Sequence, residues 1–182
     1  MHVPPPQGHD AAEPGDATTP SPESEPVSVR LATAEDQAAI ETLYLGGGED
    51  GHLRGNDTGA DIMHMAEAYL SADGASGFWV AEHAGEIVGM IGVQRTSADS
   101  ADVRRLRVQP RFRRRGIGSR LLETAIDFCR DNGYLKVVLD VRVERGPAIA
   151  MFRKFGFTHA ADREVGGRQT LDFYLDLYRD PR

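Results

Sequence analysis

The sequence predicts a single α/β (α+β) domain over residues 27–182: a mixed sheet of about seven strands, about four flanking helices, and a polar leader at residues 1–26. Three observations carry this. From Val27 onward, short apolar runs of period two alternate with segments of helical period. Two pairs of apolar runs enclose tight turns at Ala84-Gly85 and Gly166-Gly167, as hairpins do. One strand enters a helix through a turn of arginine and glycine, "RRLRVQPRFRRRGIGSRLL", Arg104 to Leu122.

Residues 1–26 hold seven of the ten prolines, and their five acids (Asp10, Glu13, Asp16, Glu23, Glu25) meet no lysine or arginine. So little apolar surface does not offset the entropy of ordering, and the leader reads as disordered. "VSVRLA" alternates and reads as the first strand. "TAEDQAAIETLYL" follows as a helix, with Thr33 and Asp36 at capping-box spacing before Ala39, Ile40, Leu43 and Tyr44. A glycine-rich loop spans 46–59, and "ADIMHMAEAYLS" reads as one second helix. "GFWVAEHAGEIVGMIGVQR" is a hairpin and "ADVRRLRV" the next strand. A helix runs from Ile117 to about Asp131 and ends at Asn132-Gly133. "YLKVVLDVRV" is a buried strand. Pro147 opens a helix that stops at Gly156, and "FTHAADREVGGRQTLDFYLDLY" closes the domain as a hairpin. The order is β-α-α-β-β-β-α-β-α-β-β.

The charge balance frames the function. There are 21 Lys and Arg against 28 Asp and Glu, a net charge of -7, yet eight arginines fall within Arg104–Leu122. The basic run is therefore local. The lone Cys129 excludes an internal disulfide framework and a cysteine-based metal site. It falls in a helical stripe with Ile117, Leu121, Leu122 and Ala125, as a core residue would. His52 and His64 show no metal spacing. No apolar run approaches the ~20 residues of a membrane span, and "MHVPPPQGHD" lacks the basic start and apolar stretch of a secretory signal. The expectation is a cytoplasmic protein with no membrane partner and no metal.

The arginine–glycine turn suits phosphate. The first turn of a helix carries unpaired N–H groups and a partial positive charge. Glycine clears space beside the backbone, and arginine adds planar donors. Gly116-x-Gly118 is followed by no Gly-Lys-Ser/Thr and forms no three-glycine dinucleotide fingerprint, which excludes both of those phosphate loops. Arg111, Arg113 and Arg114 are the candidates for phosphate contact. Arg104, Arg105 and Arg107 face either solvent or substrate.

Arg113-Arg114-Arg115-Gly116-Ile117-Gly118 resembles the Arg/Gln-x-x-Gly-x-Gly/Ala signature of GNAT-type N-acetyltransferases. "ERGPAIAMFRKFGF" is similar to that family's second block, Asn-x-x-Ala-Ile-x-Leu-Tyr-x-Lys-x-Gly-Phe. The resemblance covers Val27 to about Tyr178 and implies a GNAT-like fold that binds acetyl-CoA as cosubstrate. It implies that backbone amides of Arg114, Arg115, Gly116, Ile117, Gly118 and Ser119 hold the pyrophosphate, with Arg113 beside them. Backbone groups of Leu106, Arg107 and Val108 would pair with the pantetheine arm. Arg104–Val108 and Lys136–Val141 would splay apart around the acetyl group. The acceptor would be a small-molecule or protein amine, and homodimers are common among such proteins.

Two carboxylates stand where the resemblance places a general base, Asp140 and Asp102, with Glu144 as an outside candidate. The family's acid tyrosine falls at Phe152, which has no proton to give, and its asparagine at Arg145. Either water protonates the leaving thiolate or another residue such as Tyr174 substitutes. An alternative is a catalytically weak or dead acyl-CoA-binding relative. Acceptor contacts would come from the first two helices, the last hairpin and the 46–59 loop, where Glu49, Asp50 and Asp57, with Asp61 beyond, would form an acidic rim attracting a cationic amine. A nucleic-acid surface at Arg104–Arg120 is disfavoured by the pI of 5.3 and the few aromatics in that stretch.

Overall fold

A computed structural model of the chain describes residues 26–46 and 57–178. The leader expected at 1–26, and the Glu49, Asp50 and His52 side chains, fall outside them except for Pro26. The elements are β1 (Ser28–Leu31), α1 (Gln37–Gly46), α2 (Ala60–Met63), α3 (Met65–Tyr69), β2 (Gly77–His83), β3 (Glu86–Arg95), β4 (Ser100–Val108), α4 (Ile117–Asp131), β5 (Lys136–Arg142), α5 (Gly146–Lys154), β6 (Thr158–Val165) and β7 (Arg168–Asp176). They follow the expected order, with one change. The single second helix is two short pieces, because His64 leaves helical geometry at φ -124°, ψ 47°. Ile62, Met65 and Tyr69 still bury one side, so the apolar spacing survives the break.

The seven strands form one sheet in the order β1-β2-β3-β4-β5-β7-β6. Every neighbouring pair is antiparallel except β4 and β5. Both hairpin turns fall where the sequence put them, and Gly166 and Gly167 both take the positive φ of a primed two-residue turn. The α1 start is fixed by charge. The Asp36 carboxylate accepts the Thr33 N–H at 2.8 Å and both terminal nitrogens of Arg30 at 2.8 Å. The Arg30 hydrogen bonds, aided by Thr33, hold the Asp36 carboxyl at about 2 against the opposing effect of burial.

Two apolar clusters cover the two faces of the sheet. On one side Ile117, Leu121, Leu122, Ala125, Ile126 and Cys129 of α4 pack with Ile149 and Phe152 of α5 against β3–β5 and β7. On the other, Ile40, Tyr44, Ile62, Met65 and Tyr69 cover Phe78, Val80 and Met90. Cys129 is fully buried, and burial pushes its thiol up to about 12, so it behaves as a small apolar residue.

One irregularity positions everything that follows. Met90 pairs with Arg107 and Gly92 with Arg104, so Arg105 and Leu106 together oppose the single residue Ile91. This is a β-bulge with Arg105 at φ 61°. The extra residue inverts the alternation along β4. Ala101, Val103, Leu106 and Val108 all pack on the α4 face, while Arg105 and Arg107 reach Tyr44 of α1 on the other.

Candidate functional site

β4 and β5 pair only at Ser100/Lys136, Ala101/Val137 and Asp102/Val138. Beyond those rungs the strands separate, and the gap becomes a cleft of about 950 Å³. One wall is Val103–Val108; the other is Leu139–Arg142 with Arg145, Pro147, Ala148, Met151 and Phe152. The floor at one end is Phe112–Arg114 and Gly116–Ser119, and Asp57, Thr58, Ala60 and Asp61 close the other side. Elsewhere in the sheet such an edge would be covered by a neighbouring strand.

The β4 edge offers backbone groups to this cleft. Gln109 N–H donates to Val88 O at 2.8 Å. That bond and the register make Arg107/Met90 the next hydrogen-bonded pair of the ladder. Arg107 therefore spends its backbone on β3, a correction to the expectation that it pairs with a ligand arm. Since C=O and N–H point oppositely across each planar peptide, Val108 N–H and the Leu106 and Val108 carbonyls turn towards the cleft. The Val108 carbonyl accepts from Arg113 Nε at 3.1 Å.

At the floor, α4 begins at Ile117 with Gly116 before it at φ 79°. Arg120 N–H is the first to bond back, to Gly116 O at 3.1 Å. The N–H groups of Gly116 to Ser119 precede that first helical bond and have no partner within the helix. A Cβ on Gly118 would come no closer than 3.7 Å to Met151 and 3.8 Å to Val108, ordinary contacts. Protein packing does not require glycine there, so the open space belongs to the cleft. Arg113 and Arg114 line it. Arg115 does not; its guanidinium lies 5.2 Å over the Phe112 ring. Arg111 is exposed and paired with Glu86.

Of the candidate bases, Asp140 lines the cleft and Asp102 does not. Asp102 sits on the last rung before the strands part, 3.7 Å from Arg104 Nε. The two share an electrostatic neighbourhood: the Asp172 hydrogen bond, and then the charges of Asp172, Asp140 and Asp102, raise the Arg163 guanidinium. Asp172 lies opposite Asp140 in the β5–β7 ladder. Tyr174 pairs with Val138 and Thr158, its ring 5.5 Å from Lys136 Nζ, and it is not a lining residue. Phe152 is buried at the cleft wall, edge-on to Phe157 at 5.8 Å. Glu144 does not line the cleft either.

The network at the third wall has no local signature in the sequence. Arg105 is only 8% exposed, and pairs with both Asp57 and Asp61. Its Nε reaches Asp61 at 2.8 Å and a terminal nitrogen reaches Asp57 at 2.9 Å. Tyr69 donates its hydroxyl to Asp61 at 2.6 Å, and Gly59 N–H caps Asp57 at 3.1 Å. Burial alone would raise the Asp57 carboxyl, but Arg105 more than offsets it and holds the group at about 2. Arg105 lines the cleft as a paired cation rather than a solvated one, and Asp57 and Asp61 share its single charge, so this wall keeps a net negative charge. A run of arginines in sequence resembles a solvated face; the bulge, with its positive φ at Arg105, turns Arg105 and Arg107 towards α1.

Among the described residues, no helix is long and apolar enough to cross a membrane. No group of three or more His, Cys, Asp and Glu could hold a metal ion among them either.

Comparison with known proteins bears on the family and the fold. The acetyltransferase (GNAT) family profile matches residues 50–157. N-acetyltransferase 8 of Homo sapiens is 35% identical over 102 residues, which are 53% of this chain and 44% of that protein. The chain spans about half the length of the curated relatives it matches. A GNAT-family acetyltransferase of Staphylococcus aureus Mu50 superposes with a TM-score of 0.73 at 17% identity, covering 84% of this chain and 99% of that one. The yncA protein of Salmonella typhimurium, solved with its cofactor acetyl-CoA, superposes with a TM-score of 0.72 at 21% identity, covering 86% and 96%.

Proposed function

We propose, on the premise that this chain belongs to the acetyltransferase (GNAT) family, that it moves an acetyl group from acetyl-CoA to an amine. The observation that carries this reading is one continuous cleft. It begins between two parting parallel strands and ends on the amides that open α4. That shape suits a long ligand with an extended amide-bearing arm and a diphosphate at one end. When bound there, acetyl-CoA supplies the acetyl group activated as a thioester.

The residues fit such a ligand. The N–H groups of Gly116 to Ser119, at the positive end of the α4 dipole, suit a diphosphate, with Arg113 and Arg114 alongside. Gly118 leaves the approach clear. Val108 N–H is the donor that an amide or thioester carbonyl lying along β4 would meet. Apolar Leu106, Leu139, Val141 and Phe152 exclude water from the walls.

Asp140 lines the cleft and is the carboxylate assigned here as base. It takes the proton that an attacking amine sheds as the C–N bond forms and the C–S bond breaks. Phe152 cannot return a proton to sulfur, and Tyr174 stands outside the cleft lining. Water is the remaining source, and thiols have a reference pKa near 8.5, so thiolate is a tolerable leaving group at neutral pH. The acceptor is a small-molecule or protein amine.

Thermal shift with CoA and acetyl-CoA, combined with thiol release against a panel of amines, tests the reading. Stabilisation by both, with thiol released only when an amine is present, supports it. Stabilisation without turnover would leave a coenzyme-binding protein, and no stabilisation would remove the reading.

A further inference from the structure

Three arginines of β4 point away from α4, and two are matched by acids. Arg104 lies beside Asp102 and donates to Gln94 at 2.6 Å. Arg105 holds Asp57 and Asp61. Arg107 differs. Its guanidinium stacks 4.8 Å over the Tyr44 ring and donates one N–H to the Tyr44 carbonyl at 2.7 Å. No carboxylate among the described residues lies within ion-pair distance of it. Yet it is half-buried and lines both the cleft and a second cavity of about 720 Å³ beside α1.

A half-buried cation with no carboxylate in contact with it is the exception among arginines in folded proteins. A guanidinium carries five N–H donors in a rigid fork, and one is spoken for here. The remaining edge suits a carboxylate, which it can bind through two parallel bonds. Burial, and after it the like charges of Arg105 and Arg145, pull the Arg107 guanidinium down to about 10 against the opposing effects of Tyr44 and the Asp57 carboxylate, which leaves it charged at neutral pH.

We propose that Arg107 is the docking point for a carboxylate on the acceptor, so that the acceptor class is an amine that also carries an acid, of the amino-acid type. This rests on the acetyltransferase reading above. The faces of the sheet decide between acceptor and coenzyme as the source of the anion. Leu106 and Val108 turn to the α4 face, where the phosphate-binding amides lie. Arg107 turns to the opposite face, towards α1.

The test compares free amino acids with their methyl esters and amides in the thiol-release assay, using wild-type protein, Arg107→Gln and Arg107→Lys. Direct titration with CoA accompanies each variant. The expected wild-type ratio of kcat/KM, acid over ester, is about 10- to 100-fold, the range of a charge-assisted hydrogen-bonded pair. The ratio should fall towards one in Arg107→Gln and to an intermediate value in Arg107→Lys, with the CoA dissociation constant changed by less than about threefold. A wild-type ratio near one, or a ratio that survives in Arg107→Gln, overturns the proposal. So does a loss of CoA affinity that matches the loss of activity, which would assign Arg107 to a coenzyme phosphate. If no amine is turned over, binding is read from the melting temperature of the CoA-bound protein. Stabilisation by amino acids but not their esters, lost in Arg107→Gln, would uphold the docking point while the transfer reaction fell.

Discussion

Replacing Arg105 by alanine should be among the most damaging single changes outside the apolar clusters. The guanidinium is 8% exposed, and its partners Asp57 and Asp61 are 14% and 13% exposed. Removing the cation leaves two half-buried carboxylates whose remaining partners are the Gly59 N–H and the Tyr44 and Tyr69 hydroxyls. Breaking a buried pair in this way costs about 3–5 kcal/mol. For a domain of this size that lowers the melting temperature by roughly 6–20 °C. The dependence on pH should also change sign. In the wild type the Asp57 carboxyl is held at about 2, below its ordinary 3.8. Its contribution is therefore complete above about pH 4 and fades as the pH falls towards 2. Without Arg105, burial is the dominant influence and lifts both carboxyls above their unfolded values. Protonation then favours the folded state, and the deficit of the variant should shrink as the pH falls through the acid range. Urea unfolding of both proteins at several pH values measures this directly. A loss below about 1 kcal/mol, the level of an exposed pair, or a deficit that grows on acidification, would refute the reasoning. Adding Asp57→Asn and Asp61→Asn should recover part of the loss.

Three further outcomes follow from the site. Gly116→Ala forces a side chain into a left-handed position and should cost about 1–2 kcal/mol of stability, whereas Gly118→Ala, which meets only ordinary contacts, should melt normally yet weaken CoA binding measured by calorimetry. Asp140→Asn should lower kcat by about 10²- to 10⁴-fold with CoA affinity retained, and Asp102→Asn by much less, in the thiol-release assay across pH. The Cys129 thiol, buried and raised to about 12, should resist a disulfide reagent in the native state and react once the chain is unfolded.

How much of this was legible in the sequence depends on how far apart the cooperating residues lie. The hairpins at Ala84-Gly85 and Gly166-Gly167, the α4 stripe and the Thr33–Asp36 cap are written within a few residues and were found where they were expected. The turn at Gly116-x-Gly118 was equally local. The break at His64 was not, because Ile62, Met65 and Tyr69 keep a helical spacing across it. The Arg105 network joins residues more than forty positions apart. The arginines of β4 all read as one charged run, and their different fates follow from a single unpaired residue opposite Ile91. Asp140 and Asp102 were both candidate bases in the sequence, and of the two only Asp140 lines the cleft.

The three rungs between β4 and β5 leave the sheet as two blades, four strands and three, that share a short seam. A strand edge is ordinarily an outer boundary, where a stray chain can dock; here two edges face each other at the centre of the sheet, across a cleft floored by the start of α4. On the function proposed above, a slender guest that brought its own amides would knit the blades together, and the protein would be at its stiffest when carrying its cargo.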